Sequence, residues 1–491
     1  MPCLRTRQLL VPLFACLSML LVACSNEPIV TVTPVPSVTP ITAPTSAAST
    51  ATALPVPTVA GTASITTAVA AAAATAVTSP ATNATTLKPT TPPVSTANTS
   101  TSPASTSTRT VVAAVQATTK PAIPTPPPAT ATTKPTAMEP HQLPGGTIML
   151  PPGWDIKAYA TGLGAARFMG VRPSDGTMFV ADAQGRLLVL GDGNGAEAGV
   201  KVFASNLNQP SSVTFWQDWI YVGETNEIVR FRAPNDALTP QSAREVVVSN
   251  LPSGGQHSTR TVAFGPDGKL YVAVGSSCNV CKEEDARRAA ISVYDPDGKN
   301  GRIYATGLRN AVGITWQPGT GQMWATVNGR DNIGDDIPPD DLRTVNDGTF
   351  YGWPYCYGGK TPNPEYKDMA AEKCKDTPPN ARSLPAHVAA LGLTFGDKLN
   401  APQPYKDSLY IAYHGSWNRS TKVGYKIVRV PFINGQAGQA EDFAVGWLPG
   451  VSDKAGAVWG RPVGVAVGND GALYVTDDST GIMYRIAATG G

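Results

Sequence analysis

The chain has four histidines, and three of them, His257, His387 and His414, lie beyond residue 250 beside short apolar runs. Histidine changes charge near neutral pH, which makes it the natural general base. His257 is the leading candidate, because Gly254 and Gly255 ahead of it leave room for a substrate. Arg309 and Asn310, a cation beside an amide, stand just ahead of another apolar run. Arg167, Gln209, His387 and Arg461 stand at equivalent places, each just ahead of an apolar run, and no carboxylate occupies any of these positions. Arginine forks pair with carboxylates bidentately, and a cleft focuses their field, so such a set suits a compact planar polyanion. A single arginine there would be read as a strut between neighbouring elements. A ring of them is read as a binding site.

Those positions belong to a repeat. Residues 254–281 show it most clearly: an apolar run at 261–264, the turn Gly265-Pro266-Asp267-Gly268, a second run at 270–274, and a loop carrying Cys278 and Cys281. Proline presets one turn dihedral and glycine supplies a positive φ, so the unit reads as a β-hairpin. Similar units occupy 168–180, 211–222, 312–324, 391–411 and 463–475, marked by Phe179, Tyr221, Tyr271, Trp324, Tyr410 and Tyr474. A recurrence of about 40–50 residues, with two longer gaps, is the mark of a propeller. The expected fold is all-β: a six-bladed β-propeller of four-stranded antiparallel blades. The innermost strands of a propeller begin at one rim, so the residues leading them converge on the channel mouth. Loops after the second strands return to the same rim, among them 328–336, which is rich in Asp and Gly. Extended to Asp341, that loop offers hard oxygen ligands suited to Ca²⁺, although an acidic solvated loop fits the spacing equally well.

Composition separates this folded part from what precedes it. The 491 residues carry a formal charge of only +2, which gives no footing for nucleic acid as a partner. Residues 1–24 read as an export signal, with Arg5 and Arg7 before an apolar stretch. The stretch ends Leu21-Val22-Ala23-Cys24, a lipobox that would lipidate Cys24 and anchor the protein to the outer face of the cell membrane; an ordinary cleaved signal is the alternative. Residues 25–142 are dominated by Thr, Pro, Ala and Ser and read as a disordered tether, leaving 143–491 as the propeller. Of seven cysteines, Cys3, Cys16 and Cys24 fall in the signal. The remaining four, Cys278, Cys281, Cys356 and Cys374, are an even set in an exported chain and read as disulfides. Pairing by proximity, Cys278 with Cys281 and Cys356 with Cys374, is one of three possible connectivities. A zinc site and a redox CxxC are the weaker rivals.

At these residues the sequence resembles a known family. His257 with Gly265-Pro-Asp-Gly-Lys-Leu-Tyr271, Gly307-Leu-Arg-Asn310 and Asn346-Asp-Gly-Thr-Phe-Tyr-Gly-Trp-Pro354 resemble the soluble quinoprotein glucose and aldose dehydrogenases. Ser276-Ser-Cys-Asn-Val-Cys281, Tyr413-His-Gly-Ser-Trp-Asn-Arg419 and Trp459-Gly-Arg-Pro-Val-Gly464 are similar to the L-sorbosone dehydrogenase-like branch. The resemblance implies pyrroloquinoline quinone (PQQ) over the channel, together with Ca²⁺. It implies that His257 takes a proton from a sugar hydroxyl as hydride passes to the quinone, with Arg309 and Asn310 stabilising the developing charge. The cofactor set would be Arg167, Gln209, His257, Arg309, Asn310, His387 and Arg461. The calcium beneath the quinone would be held partly by the backbone carbonyls of Gly329 and Arg330, and Asp336, Asp341 and Tyr351 would lie at a further calcium cluster. Two features depart from the glucose dehydrogenase pattern: no lysine matches near His387, and Arg330 stands where that pattern has proline.

The function expected is PQQ-dependent oxidation of an aldose or sorbosone-type sugar, with an electron acceptor the sequence does not name. A Ca²⁺-dependent, lactonase-like propeller hydrolase and a non-catalytic sugar-binding propeller are the alternatives, because propellers host all three. A hydrolase would need acids and Asn to hold an axial metal, whereas the residues leading the inner strands are basic.

Overall fold

The computed structural model describes residues 137–191, 199–450 and 458–490. The export signal, Cys24 and nearly all of the tether lie outside the described residues. Those described belong to one compact unit.

The chain lays down antiparallel sheets one after another. Ala166–Val171, Met178–Asp182, Arg186–Leu190 and Lys201–Ala204 form one, and Ser212–Trp216, Trp219–Gly223, Ile228–Arg232 and Glu245–Val248 the next. Arg260–Phe264, Leu270–Val274, Ala290–Tyr294 and Arg302–Thr306 follow, with Thr349–Phe350 added in parallel at the edge. The fourth sheet contains Ala311–Trp316, Met323–Val327, Pro339–Val345 and Arg382–Ala386. Ala390–Phe395, Ser408–Tyr413, Lys426–Ile433 and Glu441–Val445 form another, widened by the hairpin of Glu139–Leu143 and Gly146–Leu150. Pro462–Val467, Leu473–Asp477 and Ile482–Ala488 are completed by Trp154–Ala160 from the start of the domain. That last sheet joins both ends of the domain and closes a propeller arrangement of four-stranded antiparallel blades.

The marker aromatics pack in the core between sheets, and two of them also brace the turn ahead of their strand. Tyr271 donates to Asp267 in the preceding turn, and Tyr474 donates to Asp470 in the same way, both at 3.0 Å. Each ring also packs against a neighbouring sheet: Phe179 on Phe215, Tyr221 on Phe264, and Tyr271 on Trp316, all edge-on. At Tyr271 the turn, the strand and the inter-sheet core are thus set by one residue.

Inner strands are stapled by hydroxyls that donate to the next sheet's carbonyls. Thr261 reaches Val312 O, Thr326 reaches Leu391 O, and Thr476 reaches Arg167 O, which ties the last sheet to the first. The approach is so close that a Cβ on Gly313 would sit 2.2 Å from Leu391 O. Strand Glu139–Leu143 begins before the boundary expected at residue 143. Its pairing with Gly146–Leu150, whose Ile148 and Leu150 are buried in the core, draws residues 139–142 out of the tether and into the domain.

Candidate active site

A cavity of about 180 Å³ opens where several sheets present their loops. His257, Arg309, Asn310 and His387, all expected at the channel mouth, line it together. His257 lies ahead of strand Arg260–Phe264. Its Nδ1 is 2.8 Å from Ser276 O and 3.0 Å from Ser276 Oγ. A carbonyl can only accept, so the ring proton is on Nδ1 and Nε2 keeps its lone pair. Burial, reinforced by the charge of Arg309, pulls the His257 pKa down to about 4. The imidazole is therefore neutral at physiological pH.

Arg309 is buried with its guanidinium fixed on all sides. Nε donates to Asn279 O at 3.0 Å, Nη2 donates to Asn279 Oδ1 at 2.9 Å and to Asp331 Oδ2 at 3.1 Å, and Nη1 donates to Gly329 O. Burial lowers its pKa from the ordinary value. Asn310 Nδ2 lies 3.4 Å from Asn328 Oδ1. The Asn310 and His257 side chains press on Gly275, where a Cβ would meet Asn310 Oδ1 at 2.4 Å. Only glycine fits there.

Asp331, Asp340, Trp417 and Asn418 also line it, together with Asn328, Gly329 and Ala389. Asn418 Nδ2 donates to Asp331 Oδ1 at 2.9 Å, and its buried Oδ1 has no partner. Trp417 is 69% exposed at the rim. Asp340 is buried and accepts from Gly329 N at 2.8 Å; burial lifts its pKa to about 6. Sequence reasoning noted the loops that carry these residues but not their roles. The signals were an Asp or Asn directly following a second strand, and an unusual Trp-Asn pair after His414.

The remaining positions of the expected ring form other contacts. Arg167 Nη1 donates to Asp478 Oδ2 at 2.6 Å, and His414 Nε2 donates to Asp478 Oδ1 at 2.9 Å. Arg461 caps the carbonyls of His414 and Gly415. Gln209 accepts from Thr225 Oγ1 at 3.4 Å. None of Arg167, Gln209 and Arg461 lines the cavity. An excess of cations along the rim was expected, but Asp478 and Asp331, both from loops after second strands, neutralise part of it. His387 lines the cavity as an anchor. Its Nε2 donates to Gly334 O at 2.9 Å and Ile337 O at 3.1 Å.

Of the residues expected at calcium, Gly329, Arg330, Asp341 and Tyr351 line one small cavity together, and Asp336 lies outside it. Gly329 O is taken by Arg309, and the Arg330 side chain turns to Glu365. Asp341 pairs with Arg343 at 2.9 Å, Tyr351 donates to Thr344 O at 2.9 Å, and Asp336 is 88% exposed beside Arg419. Asp341 and Asp336 are each paired with an arginine, as Asp331 is with Arg309. Asp331, Asp340 and Asn328 also present hard oxygen donors to the cavity of His257 and Arg309. Disulfides join Cys278 to Cys281 and Cys356 to Cys374. Cys278, Cys281 and Glu283 have metal-like spacing, but both sulfurs are committed to the first disulfide. For a planar polyanionic quinone the lining fits: a buried cation at Arg309, amides at Asn310 and Asn418 with one orphaned oxygen, and the exposed face of Trp417.

Comparison with known proteins identifies the family of the folded part. The TrAA12-like family matches residues 148–489. A PQQ-dependent sugar dehydrogenase of Hypocrea jecorina is 25% identical over 395 residues, covering 68% of this chain and 87% of that protein. A PQQ-dependent pyranose dehydrogenase of Coprinopsis cinerea is 28% identical over 297 residues, covering 48% of this chain and 40% of that longer protein. The holo form of the Coprinopsis cinerea pyranose dehydrogenase PQQ domain superposes with a TM-score of 0.60 at 23% identity, over 69% of this chain and 97% of that one, which shows a shared fold. By the match over most of its folded length, the chain belongs to the TrAA12-like family, alongside PQQ-dependent sugar dehydrogenases.

Proposed function

We propose that this protein oxidises a pyranose or related aldose, sorbosone included, using PQQ held in the cavity of His257 and Arg309. One observation carries the reading: a neutral histidine with its Nε2 lone pair free lines a cavity beside a buried, immobilised arginine. The family and the quinone named for its relatives support it.

In this reading PQQ supplies a two-electron acceptor. His257 Nε2 accepts the proton of the sugar hydroxyl, while Ser276 holds the ring in the required tautomer. Arg309 and Asn310 present positive charge and an amide to the oxygen that gains electron density. Trp417 offers a flat apolar face, and Asn418 Oδ1 an unpaired acceptor. Asp331 and Asp340 are the carboxylates we assign to Ca²⁺. The closed circuit of inner strands supports a count of six blades. We also propose export and lipidation at Cys24, for which the two disulfides give support.

The test is to add PQQ to the full chain, with and without Ca²⁺, and screen aldoses and sorbosone with an artificial electron acceptor. Sugar-dependent dye reduction that requires PQQ is expected. Its absence across the panel would overturn the reading.

A further inference from the structure

Asn279 lies on the loop between strands Leu270–Val274 and Ala290–Tyr294, inside the four-residue ring closed by the Cys278–Cys281 disulfide. Its hydrogen-bonding groups go to two other loops. The main-chain oxygen accepts from Arg309 Nε at 3.0 Å, and Oδ1 accepts from Arg309 Nη2 at 2.9 Å and from Asp331 N at 2.8 Å. Nδ2 donates to Asp331 O at 3.0 Å. Asp331 in turn pairs with Arg309 at 3.1 Å. Arg309, Asp331 and Asn279 therefore form a closed triangle across two neighbouring sheets, with Asn279 the one member outside the cavity lining.

We infer that Asn279 is a positioning residue that locks the Arg309 guanidinium against the active-site cavity, and that the Cys278–Cys281 disulfide is the staple that keeps Asn279 in place. A long guanidinium side chain has many rotamers, and without these acceptors it would exchange among them. Asn279 Oδ1 is the one side-chain oxygen that joins Arg309 to the Asp331 backbone, so removing it takes an acceptor from Arg309 Nη2 and from Asp331 N at once, while Arg309 Nε keeps the main-chain oxygen of residue 279. The loop is itself braced where it meets the histidine: Ser276 Oγ donates to Cys278 O at 2.7 Å, and Ser277 donates twice to Glu283. The same short segment thus orients His257 through Ser276 and Arg309 through Asn279. This gives the disulfide a task other than metal binding or thiol chemistry.

The inference rests on the proposed function only in placing Arg309 at a reacting centre, and its test is read first without PQQ. In the ¹⁵N-labelled full chain, the Arg309 Nη2–H resonances, one of whose side-chain acceptors is Asn279 Oδ1, are assigned by their loss in Arg309→Lys, and their exchange with solvent is measured. Asn279→Ala is expected to speed that exchange at least tenfold. Asn279→Asp, which keeps the acceptor oxygens, is expected to stay within threefold of the native chain. Joint Cys278→Ser and Cys281→Ser substitution is expected to speed it in the same direction by a smaller factor. If Asn279→Ala does not fold, Asn279→Ser is read in its place.

With PQQ and sugar, Asn279→Ala is expected to lower kcat at least tenfold and leave KM within threefold. It should add nothing to the loss caused by Arg309→Lys. Unchanged Arg309 exchange in Asn279→Ala, or losses that multiply in the double variant, would overturn the inference. A native chain that turns over no sugar would instead overturn the functional reading, and the exchange measurement would still decide the role of Asn279.

Discussion

The His257 Nδ1 nitrogen sits 2.8 Å from the Ser276 carbonyl oxygen, so one hydrogen bond decides which face of the imidazole can take a proton. Burial and the neighbouring cation hold that ring near a pKa of about 4, with Arg288 and Arg260 adding to the effect of Arg309. The base is active when neutral, so activity is lost as pH falls through the folded-state value. The acid limb of kcat/KM is expected near pH 4, not at the 6.5 of a free histidine. A limb near 6.5 would mean that His257 is solvated or is not the base.

Buried titratable groups with opposite signs shape stability. His257 and His414 are both pulled down to about 4, so between pH 4 and 6.5 the unfolded chain binds their protons and stability falls as pH falls. Asp340 is raised to about 6, so in nearly the same window it favours the folded state at low pH and loses that contribution as pH rises. Asp340→Asn removes the opposing contribution. Its Tm is expected to climb more steeply from pH 4 to 6.5 than that of the native protein, as read by calorimetry. An unchanged slope would show that Asp340 does not titrate there.

Trp417 is largely exposed, so its removal should cost little stability. Aromatic contacts contribute about 0.5–1.5 kcal/mol beyond area burial, equivalent to roughly a 2- to 13-fold change in affinity. Trp417→Ala is expected to weaken PQQ binding or raise the sugar KM by that factor, with Tm within about 2 °C of the native value. A large fall in Tm with unchanged affinity would assign Trp417 to the fold alone.

Cys356 and Cys374 are separated by 18 positions and tie the short helix Lys367–Lys373 to the turn after Trp353. Closing a loop of that size stabilises by about 3 kcal/mol in the chain-entropy account. Cys356→Ser with Cys374→Ser is expected to lower the unfolding midpoint in urea accordingly. PQQ affinity should stay within about threefold, because neither cysteine lines the cavity.

Much of this architecture can be read from sequence because the repeat encodes it redundantly. The turn Asp, the marker aromatic and the alternating strands specify the same hairpin, and Tyr271 with Asp267 shows how. The convergence of His257, Arg309, Asn310 and His387 follows from propeller geometry alone. Arg167 and Arg461 carry the same signal, yet they are drawn elsewhere by Asp478 and by the carbonyls of His414 and Gly415. Which arginine faces a cavity depends on the nearest acceptor, and that comes from a loop far away in sequence. Which carboxylates pair with an arginine was illegible for the same reason. Asp336 and Asp341 are rich in oxygen, but Arg419 and Arg343 already balance them. Asp340, adjacent to Asp341 but on the opposite face of its strand, lines the cavity with Asp331.

The central claim is that His257 serves a quinone cofactor in this cavity as general base. The most direct measurement is a rapid-mixing experiment on the PQQ-loaded full chain, following the quinone absorbance after sugar is added, for the native protein and His257→Ala. The expected result is sugar-dependent loss of the quinone band in the native protein and at least 100-fold slower loss in the variant, with PQQ affinity changed less than about threefold. Equal rates in the two proteins, or no PQQ binding by the native chain, would contradict it.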